Sequence, residues 1–292
     1  MTETKDLEKP EKFTSSLLPK GILVAVGGNE DKEQDLYVLR RIVDLIKKNP
    51  IVIEVITTAS EIPEEIGKMY LTAFARIGNN TAQLMHIHSR AQAEDPQYIQ
   101  RIREADIIFF TGGDQLRITS VLGGTLFLKT IVKKYYQEAC IIAGTSAGAT
   151  AMSRTMIYDG ESSEALLKGT VKVTAGIGLL ENVVIDSHFI KRGRFSRLME
   201  IIASNPGYIG VGLGEDTGVI IRKGSLLETI GNNLVVIVEG KHIQYTNITS
   251  IKHGEAIAVE NIHLHTLVNG YGYDLLDEKF LRPAELKELL VD

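Results

Sequence analysis

Two hydrophobic patterns take turns along the first half of the chain. Ile22–Val26, Ile51–Ile56, Gln83–Ile87, Asp106–Phe110 and the run opening at Cys140 are short, mostly apolar stretches with little alternation. Between them, apolar residues recur at three- and four-residue spacing: Leu36, Leu39, Val43 and Ile46 within Asp31–Lys48, then Pro63–Ile77, Pro96–Arg103 and Leu126–Tyr136. Continuous apolar runs suit strands buried on both faces, and the longer spacing suits helices. Strand and helix in alternation predict an α/β fold with a mainly parallel sheet flanked by helices.

After residue 150 the texture changes. Residues 154–175 are polar and irregular apart from Ala165–Leu167, and are expected to form a surface flap beside any site. Val183–Phe189 reads as a strand, Arg192–Ala203 as a helix and Ile209–Leu213 as a strand. Short alternating runs from Gly218 onward, such as Val219–Ile221 and Leu234–Val238, add extra β-strands toward the C-terminus that finish the same domain. Phe280–Asp292 reads as a helix or a tail. Neither a linker nor an internal repeat interrupts the pattern, so 21–292 is predicted to be a single domain. Residues 1–20, charged and carrying Pro10 and Pro19, are expected to be a flexible tail.

Composition narrows the function classes. With 44% apolar and 24% charged residues among 292, the chain matches ordinary globular proteins. A formal charge of −5 argues against a general nucleic-acid binder. No apolar run approaches the roughly 18 residues that span a bilayer, and the N-terminus lacks a secretory core, so no membrane contact and a cytoplasmic location are expected. The one cysteine, Cys140, excludes an internal disulfide and lies in an apolar run, which reads as a buried thiol.

Candidate chemistry gathers at glycine turns. Gly27-Gly28, Gly112-Gly113 and Gly144–Gly148 all follow predicted strands, where open α/β sheets bind ligands. Gly144-Thr145-Ser146-Ala147-Gly148 fits G-x-S-x-G, a nucleophile elbow in which a serine tops a sharp strand-to-helix turn and the glycines keep Cβ atoms out of the crossing. The same five residues also suit a plain strand–turn–helix joint. A serine nucleophile needs a base and a group to orient it. Of seven histidines, His188 alone ends an apolar strand on the expected rim; Glu215, at the end of the next strand, is the candidate orienter, with Asp186 and Asp216 as competitors.

His86-x-His88 and His263-x-His265 each put two imidazoles on one face of an extended segment. No carboxylate or cysteine stands at a recognisable ligand spacing from either pair, so no metal and no cofactor is expected. Arg192, Arg194 and Arg197 cluster at the start of a helix, where guanidinium forks could grip an anionic substrate group or simply form a solvated patch.

The joint pattern resembles the cyanophycinases, the serine peptidase S51 group, with a fold akin to class I glutamine amidotransferases. The resemblance runs from Gly21 to about Gly240. It is carried by Gly27-Gly28-Asn29-Glu30-Asp31, Gly112-Gly113-Asp114-Gln115, Gly144–Ala149, Asp186-Ser187-His188-Phe189 with the three arginines, and Gly214-Glu215-Asp216. It implies Ser146 as nucleophile, His188 as base and Glu215 as orienter. Gly113 and Ala147 would supply oxyanion N–H groups, and Gln115, Asp186, Ser187, Arg192, Arg194 and Arg197 would line the substrate pocket. Ser187 stands where the family pattern has glutamine. The resemblance also implies a homodimer acting on cyanophycin, a polyaspartate with arginine amide-linked to each side chain, and releasing β-aspartyl-arginine. An aspartyl dipeptidase-like enzyme acting on other Asp-containing peptides remains open. So do an α/β-hydrolase esterase, whose chain order would make His263 or His265 the base, and a non-catalytic binding relative.

Overall fold

The computed structural model describes residues 18–160 and 166–290. The expected tail over 1–20 lies outside them except for its last three residues. Strand β1 (Ile22–Val26) runs into the Gly27-Gly28 turn, and the helix expected from Asp31 starts late. The Asp31 carboxylate accepts the backbone N–H groups of Glu33, Gln34, Asp35 and Leu36 at 2.6–2.9 Å, wrapping the chain around itself. Leu36 then sits at φ 55, in the left-handed region, so α1 is only Tyr37–Val43.

β2 (Ile51–Ile56), α2 (Pro63–Ile77), β3 (Asn80–Met85), α3 (Pro96–Glu104) and β4 (Ile107–Phe110) follow the predicted order. Pro63 and Pro96 open their helices where a missing N–H costs nothing, and Asp95 caps α3 by accepting from Gln97 N. An unexpected helix, α4 (Gln115–Leu122), starts at Asp114, whose side chain accepts from Leu116 N. α5 (Leu126–Gln137) leads to β5 (Ile141–Thr145) and the single turn α6 (Ala147–Thr150). The irregular flap is corrected in its described part: β6 (Thr155–Gly160) and β7 (Val171–Ala175) pair as an antiparallel hairpin with a bulge between Ile157 and Asp159.

Next come β8 (Val183–Asp186), α7 (Phe195–Ser204), β9 (Ile209–Leu213), β10 (Thr217–Arg222), β11 (Leu226–Gly231) and β12 (Val235–Glu239). The described C-terminal part adds β13 (Tyr245–Thr246), β14 (Val259–Glu260), β15 (His263–Leu267), β16 (Gly272–Asp274), β17 (Lys279–Leu281) and α8 (Pro283–Leu290). The C-terminal helix docks through Leu286, which is buried against Leu226 and Leu281.

These strands build two principal sheets. The larger has the order β17-β16-β11-β10-β1-β5-β4-β2-β3; β1, β5, β4, β2 and β3 are mutually parallel, and the other half is antiparallel. The smaller, β15-β12-β9-β8, pairs β8 and β9 in parallel and the rest antiparallel. Alternating side chains sort the layers. Val24, Val26, Ile53, Val55 and Phe109 pack with Leu39 and Ile42 of α1 and Tyr70 and Phe74 of α2. Leu23, Ala25, Ile108 and Ile142 face the other way, toward α3, α5 and the inner side of the small sheet, including Ile185, Val211, Val235 and Ile237. Val184, Val236 and Val238 on the outer side of that sheet pack under Leu198, Ile201 and Ile202 of α7. Each fully buried aliphatic or aromatic side chain contributes on the order of 1.5–3 kcal/mol. Among the described residues, no helix is long and apolar enough to cross a membrane.

Candidate active site

Ser146 sits between β5 and α6 at φ 51 and ψ −109, a conformation that costs a non-glycine residue about 1–3 kcal/mol. Close packing around it explains the flanking glycines. A Cβ on Gly144 would lie 2.6 Å from the Gly148 carbonyl carbon, and one on Gly148 would lie 2.5 Å from the Phe110 carbonyl oxygen. Several contacts hold the turn in place. Ser146 N–H donates to Val26 O at 2.9 Å, and the Thr145 hydroxyl donates to Glu30 Oε2 at 2.6 Å. Glu30 is buried; its other oxygen accepts from the Tyr70 hydroxyl and lies 3.3 Å from Lys32 Nζ. Glu30 belongs to the Gly27–Asp31 motif, but its place as a buried anchor beneath the elbow is visible only in three dimensions.

His188 and Glu215 reach Ser146 from the small sheet, not from the sheet that carries the elbow. The Gly27-Gly28 turn joins the two sheets: Gly27 O accepts from His188 N at 2.8 Å, and Gly28 O accepts from Asp216 N at 3.0 Å. With His188 held at φ 49, its Nε2 lies 3.0 Å from Ser146 Oγ and its Nδ1 lies 2.8 Å from Glu215 Oε1. Lys191 Nζ and Asn29 Nδ2 approach the other carboxylate oxygen at 3.2 and 3.3 Å. Burial pushes the Glu215 carboxyl up, but the hydrogen bonds from His188 and Lys191 and the charge on Lys191 outweigh it, so the group titrates below its ordinary value. Hydroxyl, imidazole and carboxylate in this series form the arrangement in which an imidazole can take a serine proton. Asp216, a competitor for the third place, instead accepts from Asp31 N and Asn232 Nδ2. Asn29 and Lys191 had no predicted role.

The remaining candidates surround this series. The Gly112-Gly113 turn lies against the nucleophile, since a Cβ on Gly112 would sit 3.4 Å from Ser146 Cβ, and Ala147 opens α6 directly after Ser146. Gln115 Nε2 donates to Ile157 O at 2.9 Å, which ties α4 to the β6–β7 hairpin. Asp186 is 1% exposed and holds two arginines: its Oδ1 accepts from Arg194 Nη1 at 3.0 Å and from Arg197 Nη2 at 3.3 Å, and its Oδ2 lies 3.0 Å from Arg197 Nε without hydrogen-bond alignment. Burial pushes the Asp186 carboxyl up, against the pull of both guanidinium groups. Arg197 is itself buried and also donates to Gly160 O at 3.0 Å, whereas Arg192 is exposed and makes no ion pair among the described residues. Ser187 is buried, and its carbonyl oxygen accepts from Arg194 Nη1 at 2.8 Å.

The other histidines lie elsewhere. His86 contacts Thr57 and Glu64, and His263 and His265 stand on β15 next to Glu239. Both pairs therefore have a nearby carboxylate, a correction to the reading by spacing, because Glu64 and Glu239 reach them through the fold. The esterase order, which needs His263 or His265 as base, is not the one assembled at Ser146. Cys140 is buried and its thiol is pushed up to about 11 by that burial, which leaves it unreactive.

The model of peptidase family S51 matches residues 22–229. A cyanophycinase of Synechococcus elongatus is 34% identical over 256 residues, covering 88% of this chain and 80% of the relative. One from Geminocystis herdmanii is 32% identical over 252 residues, covering 86% and 93%. The crystal structure of a peptidase from an acI-B1 Actinobacterium superposes with a TM-score of 0.65 at 22% identity, over 88% of this chain and 98% of that one, which shows a shared fold. The chain belongs to peptidase family S51 and is a hydrolytic peptidase.

Proposed function

We propose that this peptidase cleaves the polyaspartate backbone of cyanophycin and releases β-aspartyl-arginine, with Ser146 as nucleophile, His188 as base and Glu215 as its orienter. The observation that supports the reading is the unbroken series from Ser146 Oγ through His188 to Glu215, at 3.0 and 2.8 Å. In this reading Oγ attacks a backbone carbonyl carbon of the polymer while its proton passes to Nε2. The oxyanion rests on the N–H groups of Gly113 and Ala147. Collapse breaks the C–N bond, and Nε2 returns the proton to the leaving amine. Water then attacks the acyl carbon and gives a proton to His188, which passes it to Oγ as the acyl C–Oγ bond breaks, freeing Ser146 and the product acid.

The named relatives supply the substrate class, and the charges around the site suit it. Each cyanophycin unit shows a guanidinium and a carboxylate. Arg192, exposed and without an ion pair among the described residues, is the arginine this reading assigns to a substrate carboxylate, while Asp186 with Arg194 and Arg197 forms a rigid wall and Gln115 and Ser187 complete the lining. The reading includes a cytoplasmic homodimer. A serine-directed fluorophosphonate tests the centre of it: the adduct is expected on Ser146 in the wild type and is expected to vanish in His188→Ala. Labelling of another serine, or equal labelling of the His188 variant, would overturn the assignment.

A further inference from the structure

Away from the peptidase site, the small sheet buries a carboxylate among imidazoles. Glu239 ends β12 and is 4% exposed. In register, Val235 faces Leu213 and Glu239 faces Ile209, so Glu239 lies four strand residues, roughly 13 Å, from the end of β9 that leads to Glu215. A buried carboxylate needs a positive partner. Among the described residues, the ion-pair partners of Glu239 are histidines alone: His263 Nδ1 at 3.3 Å and His265 Nε2 at 3.5 Å, both from Oε1. Imidazole, unlike guanidinium or ammonium, carries no fixed charge at neutral pH. The nearby Lys241 is drawn off to Glu278 at 3.4 Å.

We propose that Glu239, His242 and His263 bind a divalent transition-metal ion of the zinc class, with His265 beside Glu239 on the same face of β15 as His263. The donor atoms of Glu239, His242 and His263 all lie within 4.8 Å of one another. In a tetrahedral site with bonds of about 2.0 Å, neighbouring ligand atoms stand about 3.3 Å apart, which is the His263–Glu239 separation. The sequence accounts for the convergence. β12 and β15 are paired in register, Glu239 opposite His263, and alternation puts His265 on the same face while Leu264 points outward. His242 returns from the turn after β12 to stack on His263, ring centres 4.3 Å apart.

The carboxylate is also oriented from behind. The buried Tyr273 hydroxyl donates to Glu239 Oε2, which leaves Oε1 directed at the histidines. Metal-ligating carboxylates are commonly fixed by such an outer hydrogen bond. Two neutral nitrogens with one carboxylate suit zinc and its neighbours better than magnesium or calcium. The ion would tie the turn after β12 to β15, the edge strand of the small sheet, and would take no part in hydrolysis.

The test is chelator stripping of the whole protein followed by equilibrium dialysis against Zn2+, with thermal unfolding recorded with and without the ion. One ion per chain and a raised Tm are expected. His242→Ala and His263→Ala should each weaken binding by at least about tenfold, while stripping leaves peptidase turnover unchanged. His242 is exposed, so its variant should fold and decides the matter alone if the His263 variant does not. Absence of stoichiometric binding, or equal affinity in wild type and His242→Ala, would overturn the proposal. Because turnover is measured separately, failure here leaves the peptidase reading standing.

Discussion

Gly28 makes room for His188: a Cβ on Gly28 would fall 2.4 Å from Cε1 and 2.5 Å from Nε2 of the imidazole. Gly28 is also at φ 96, where a side chain is strained. Since His188 N is already fixed to Gly27 O, the ring can evade a methyl group only by swinging away from Ser146. Gly28→Ala is therefore expected to lower kcat by about a hundredfold, the cost of an ångström of misplacement at a reacting group. The variant should keep its circular dichroism spectrum. Wild-type kcat in a folded variant would show that the imidazole does not depend on this gap.

The arginine cluster divides into two kinds of residue. Arg197 is buried against Asp186, so Arg197→Ala leaves a buried carboxylate short of one partner and should cost about 3 kcal/mol of stability by denaturant unfolding. Exposed Arg192 contributes little packing, and Arg192→Ala should leave stability within about 0.5 kcal/mol of wild type while raising KM for the polymer about tenfold or more. Equal stability losses in the two variants would contradict this division.

How much of this was legible in the sequence differs from residue to residue. Ser146 could be found because the steric demands of the elbow force glycine at fixed positions, and those demands are local. The parallel half of the large sheet was legible for a similar reason, since burial on both faces leaves continuous apolar runs. The strands ending in His188 and Glu215 were placed correctly in sequence but merged with the main sheet, because a two-residue period says which side chains are buried and nothing about which sheet a strand joins. Asp31 hid its loop behind helical spacing. Arg194 and Arg197 were legible as a cluster and Asp186 as a candidate beside them, but that both arginines turn onto Asp186 depends on the fold. The partnership of Glu239 with His242 and His263 was invisible, since it depends on the register of β12 against β15.

Asp31 offers a test of the corrected segment. Its carboxyl is lowered to about 2 from 3.8, chiefly by the backbone N–H of Glu33, opposed by burial, with further help from the N–H groups of Gln34, Leu36 and Asp35. A carboxyl depressed in the folded state adds stability that is fully present above its unfolded value and is lost as pH falls through the folded one. Asp31→Asn should therefore be less stable than wild type at pH 7, and the gap should close as pH falls from 3.8 toward about 2. A gap that persists unchanged at the lowest pH would mean that the charge on Asp31 does not hold this loop.

The most direct test of the central claim is mass analysis of the soluble products formed from insoluble cyanophycin. Wild-type protein is expected to dissolve the polymer and yield β-aspartyl-arginine, and Ser146→Ala, folded and at equal concentration, is expected to yield none within detection, several orders of magnitude below wild type. Free arginine as the first product would mean that the side-chain amide is cut instead of the backbone. Intact polymer after incubation with wild type, alongside cleavage of short Asp-containing peptides, would move the substrate away from cyanophycin. Dipeptide release by Ser146→Ala at the wild-type rate would contradict the account outright.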